Sequence, residues 1–128
     1  MNQSQHVSLV VTSHSATLAQ LAHALEESAL THHDLGTRRA NGLVRQQSVW
    51  FGRWSSEAGE VEELLEQVLA WLSARKVALG AVDPDARLKI VCTPADGGLA
   101  IDPSKAARLA GMGVLLLVDV SGPAVSDA

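Results

Sequence analysis

The chain has one cysteine, Cys92, so no disulfide can form within it. A fold that needs no oxidising compartment points to a reduced, cytoplasmic setting. Long apolar stretches are missing too. The longest run, Val114 to Val118, falls far short of the roughly 20 residues that span a bilayer. Val7 to Val11 is too short for a signal peptide and has no basic segment ahead of it. Positive charge is in deficit: ten Lys and Arg stand against fourteen Asp and Glu, for a net charge of −4. That balance offers no general attraction to nucleic acid or to an anionic membrane. There is no repeat of fixed period and no low-complexity tract.

What is present is a hydrophobic content of 47% over 128 residues, which fits one folded domain with an ordered core from about His6 to Ser121. Its anchor is the stretch from Arg87 to Val120. Leu88, Ile90 and Cys92 alternate with Lys89, Val91 and Thr93 as in a strand with one buried face. Asp96-Gly97-Gly98 has the chemistry of a tight hairpin turn, followed by a short return strand over Leu99 to Ile101. Asp102 before Pro103 starts a short helix that Gly111 or Gly113 can stop. The unbroken run Val114 to Val118 suits a central strand covered on both faces, the deepest element of the fold.

Upstream, Val7, Leu9 and Val11 alternate with His6, Ser8 and Val10 in a first strand. Ser13 to Ser15 offers caps for a helix carrying Leu18, Leu21, Ala22 and Leu25 on one side, to about Ala29. The segment Thr31 to Arg45 is polar, with two glycines, two histidines and three arginines, and is expected to be the least structured internal part. Gln47 to Trp54 has strand composition, with Ser48, Trp50, Gly52 and Trp54 on one face and Val49, Phe51 and Arg53 on the other. From Glu57 runs the longest helix, with Val61, Leu64, Leu65, Val68 and Leu72 at helical spacing. It is acidic at its start and basic near its end, and Gly80 and Asp83-Pro84 close it.

This order, with a basic glycine-containing loop before a tryptophan strand (Gly36 to Trp54), a long acidic helix and a Pro103-started helix before a closing strand, resembles a bacterial family of domains of unknown function, number four-two-seven-nine. The resemblance runs from about His6 to Val120. It implies an α/β, more narrowly α+β, two-layer sandwich: a ferredoxin-like variant of four to five strands packed against about three helices. It brings no catalytic residues.

No cluster of residue types has the spacing of a known chemistry. The histidines, including adjacent His32 and His33, lack the i, i+4 or i, i+2 spacing and the cysteine partners of a metal site, so neither a metal nor a cofactor is expected. Ser13, His14 and Ser15 lack a nucleophile elbow, and Gly97-Gly98 belongs to no phosphate loop. A hydrolase using Asp96, Asp102 and a loop histidine is the weakest reading, since turn and capping chemistry explain both aspartates, and Asp119 is a strand-end residue. Buried beside Leu88 and Ile90, Cys92 reads as core packing.

Two surfaces remain. If Val49 and Phe51 face the helices, Trp50 and Trp54 project from an open sheet face as an aromatic pair, which marks a surface for a protein partner or for a second copy of the chain. Arg38 and Arg39, with Arg45, form a basic island that adds a polar patch for the same partner. Alternatively, this 36–45 loop closes over a small molecule or anion. The leading expectation is therefore a non-enzymatic, cytoplasmic domain that binds a protein or self-associates, with no nucleic-acid or membrane partner.

Overall fold

The computed structural model describes residues 5–30, 33–56, 60–94 and 99–119. Along the chain lie β1 (Gln5–Ser13), α1 (Leu18–Leu25), β2 (Ser48–Ser56), α2 (Val61–Val82), β3 (Arg87–Thr93), α3 (Pro103–Gly111) and β4 (Val114–Val118). The strands form one sheet in the order β2-β1-β3-β4. β1 pairs antiparallel with both β2 and β3, while β3 and β4 run parallel. The parallel pair requires a crossover, and α3 supplies it.

All three helices lie on one side of the sheet. α2 stacks Trp71 on Trp50 of β2, with ring centroids 5.6 Å apart. α1 and α3 pack against α2. The sheet residues beneath them, Val7, Leu9 and Val11, Trp50, and Leu88, Ile90 and Cys92, join the helix residues Leu21, Leu25, Leu65, Val68, Leu69 and Leu72 in the core. The molecule is thus an α+β two-layer sandwich. Relative to the β-α-β-β-α-β order of a ferredoxin-like unit, it carries an additional helix, α2, between its second and third strands, and its last two strands are parallel neighbours.

Local chemistry explains most boundaries. Asp102 caps α3 by accepting from Lys105 N at 2.8 Å, with Pro103 in the first turn, as expected. The five predicted apolar positions of α2 are all buried. That helix starts at Val61 rather than Glu57 and runs through Gly80 to Val82, where Asp83 caps its C-terminus. α1 is shorter than its periodicity suggests, because Glu26 takes a left-handed backbone (φ 59°) and ends it. Its N-cap is Thr17, in a reciprocal capping box with Gln20, and not the Ser13 to Ser15 stretch. Ser13 is committed elsewhere: its hydroxyl donates a short hydrogen bond to Asp83, joining the end of β1 to the end of α2.

Two expectations are corrected. Leu99 to Ile101 is not a strand, because β3 already has β1 on one edge and β4 on the other, leaving no edge for a return partner. β4 is not central but an edge strand, with Leu115 58%, Leu117 43% and Val118 40% exposed. The described part of the 31–45 segment holds no helix or strand, in keeping with its reading as the least structured internal part, yet it closes a small hairpin: Arg45 N donates to Thr37 O at 2.8 Å, Arg39 N to Leu43 O at 2.7 Å and Gly42 N to Arg39 O at 2.9 Å. Gly42 sits at φ +87°, the conformation its tip requires. The Asp96-Gly97-Gly98 turn, His32 and the end of the chain after Asp119 lie outside the described residues.

Candidate functional site

Trp50 and Trp54 do not project from an open face. Trp50 is fully buried, its indole N–H donating to Glu27 O at 2.9 Å. Trp54 meets Trp71 edge-on at 5.2 Å and is partly buried against the core. The face on which they lie is the helix face, for a steric reason. Three indoles form one packed cluster only if α2 lies on their side, and Gly52 leaves the room for it.

The other face of the sheet is the open one, since no described helix lies on it. Its register sets Phe51, Val10, Lys89 and Leu115 in one row and Arg53, Ser8, Val91 and Leu117 in the next. None of these apolar side chains belongs to the core or packs against it. The Arg53 guanidinium sits 5.4 Å over the Phe51 ring. Arg87 lies beside Thr12 on the same face. A chain of net charge −4 therefore carries an apolar strip flanked by three cations here. His6, one row further on, has its pKa lowered by burial and then by Arg53, with Asp119 opposing.

The two outer edges of the sheet differ. Along β2, Leu30 N donates to Phe51 O and Val49 N to His33 O, both at 2.9 Å, so the chain itself covers that edge. Among the described residues no strand pairs with the outer edge of β4. An uncovered apolar edge is a ready template for another chain.

Where β2 begins, the 36–45 hairpin folds beside the open face and encloses a cleft of about 530 Å³. Arg39, Arg45 and His33 line it together with Leu43, Val44 and Val49. Arg38 does not, for its guanidinium donates to Gly42 O at 3.0 Å and stiffens the hairpin tip. The hairpin is moored by Asp34, whose Oδ1 accepts from Leu18 N at 2.8 Å and from Ser48 Oγ at 3.1 Å.

Other sequence candidates come apart. Asp102 caps a helix beside the N-terminal end of α2, where Ala100 N donates to Glu62. His33 bonds to Val49, near the opposite end of β1 and β3. A strand of seven residues separates those ends by roughly 20 Å. Cys92 is buried, and burial, then the nearby Glu62 carboxylate, pushes its pKa to about 11. Among the described residues no three His, Cys, Asp or Glu side chains gather as metal ligands, and no helix is long and apolar enough to cross a membrane.

The residues of the open face that sequence reasoning missed are Phe51, Arg53 and Lys89. Their signal was present in the alternation of β2 and in Lys89 interrupting an apolar strand. Compared with protein-family models, curated proteins and solved structures, the chain matches none.

Proposed function

We propose that this protein is a non-enzymatic binding module that docks a protein partner on its open sheet face and along β4. The observation that carries this reading is the pair Leu115 and Leu117, 58% and 43% exposed on an edge strand beside Phe51, Val10 and Val91. Charge favours a partner whose apolar surface is rimmed by carboxylates. Arg53, Lys89 and Arg87 complement such a rim, whereas an isologous dimer through this face would set those cations against their own copies. A reduced, cytoplasmic setting belongs to the proposal and is supported by the single, buried thiol. Kinship with the domain-of-unknown-function family four-two-seven-nine belongs to it as well, supported by the long acidic helix and the Pro103-started helix, and brings no activity with it.

The test uses wild-type chain and the double variant Leu115→Glu with Leu117→Glu, which leaves the core untouched. Affinity capture is expected to recover a partner with the wild type that the variant loses and that Arg53→Glu with Lys89→Glu also releases. A partner retained by both variants overturns the reading. If the wild type alone sediments as a dimer that the double variant dissolves, the occupant is a second copy instead.

A further inference from the structure

We infer that the cleft between the 36–45 hairpin and β2 binds a small oxyanion attached to an apolar body, such as an aryl phosphate or aryl carboxylate. Its volume, about 530 Å³, falls within the range of roughly 300–1,000 Å³ typical of small-molecule sites. One part of the lining is cationic and the other apolar, and no aspartate or glutamate contributes to it. Two arginines elsewhere are neutralised by carboxylates. Arg108 pairs with Glu66 at 2.6 Å, and Arg75 pairs with Glu26 at 3.4 Å while lying over Trp71. Among the described residues neither Arg39 nor Arg45 has an ion-pair partner. Arg45 Nε is moreover buried without any hydrogen-bond acceptor.

A guanidinium fork matches the paired oxygens of a phosphate or carboxylate. Because Arg45 Nε is itself closed to solvent, an oxyanion entering the cleft would be met by Arg39 and by the part of the Arg45 side chain that lines it, with its organic body against Leu43, Val44 and Val49. The backbone bonds that close the hairpin hold the main chain of Arg39 and Arg45 in place before any ligand arrives, so binding has only side chains left to order. This goes beyond the docking reading and uses different side chains.

Calorimetric titration of the full chain with phenyl phosphate, benzoate and inorganic phosphate tests it. One site for phenyl phosphate or benzoate is expected, tighter than inorganic phosphate because only the aryl ligands meet the apolar wall. Arg39→Gln and Arg45→Gln are each expected to weaken it about tenfold or more, while Lys76→Gln, on α2, leaves it unchanged. Circular dichroism confirms the fold of each variant, and Arg39→Gln decides if Arg45→Gln unfolds. Absence of binding by both aryl ligands, inorganic phosphate binding as tightly as they do, or an equal loss in Lys76→Gln overturns the inference. The Leu115→Glu, Leu117→Glu variant is expected to bind phenyl phosphate as the wild type does, which separates failure here from failure of the docking face.

Discussion

A hydrogen atom decides how the largest side chain of the core is seated. The Trp50 indole lies over Gly52, and a methyl group added there would meet Trp50 Cη2 at 2.5 Å. Gly52→Ala is therefore expected to destabilise the fold by about 1–3 kcal/mol, read as a lower urea midpoint, because the displaced indole must also give up its stack on Trp71. Cys92 supplies a second residue-scale outcome. With its pKa near 11 and no exposure, the thiol is expected to resist a thiol-reactive disulfide at pH 8 in the native protein and to react on addition of denaturant. Its inward position could be read from alternation with Leu88 and Ile90. The seating of Trp50 could not, because both sides of β2 carry an aromatic and alternation does not say which side meets the helices.

At the scale of elements, the hairpin of residues 36–45 depends on a mooring outside itself. Asp34→Ala removes the acceptor for Leu18 N and Ser48 Oγ, and is expected to cost about 1–2 kcal/mol and to speed hydrogen exchange at the Leu18 amide. The same variant should weaken oxyanion binding, since it frees the element that carries Arg39 and Arg45. Helices were the legible elements. The apolar period of α2 and the Asp102-Pro103 start of α3 are local signals, and both held. The mispositioned elements were those whose role depends on neighbours. Val114 to Val118 has the composition of a buried central strand, yet β4 is an edge, since its depth depends on where the chain places it. In the same way, the hairpin of residues 36–45 is stabilised by backbone bonds and by an aspartate, features that a polar, glycine-bearing composition does not announce.

For the whole molecule, acid should lower stability over two separate pH ranges. The His6 pKa is lowered in the fold, by burial and Arg53, so below the ordinary value of 6.5 the unfolded chain binds a proton that the folded chain resists, and stability falls as pH drops from there to the folded pKa. Asp83 is lowered from 3.8, chiefly by the Ser13 hydroxyl. Its contribution is present above 3.8 and is lost as pH falls through its folded value. His6→Gln is expected to flatten the dependence over the first range and Ser13→Ala over the second, both followed by thermal melting across pH. Ser13→Ala also removes the principal of the two hydroxyl donors, Ser13 and Ser15, to the buried Asp83, and should lower stability at neutral pH by about 1–3 kcal/mol.

Sequence alone placed the four strands and three helices approximately, with one short strand too many at Leu99 to Ile101, and settled the inward face of β1, β3 and α2, because alternation, helical spacing and caps act within a few residues of one another. Tertiary structure decided which side of β2 meets the helices, that β4 stands at an edge, and that Arg39 and Arg45 share a cleft with Val49. Those outcomes depend on strand order and on the packing of Trp71 against Trp50, contacts between segments far apart in the chain. A sheet with apolar residues on both faces can be covered on either, and only the assembled core breaks that tie.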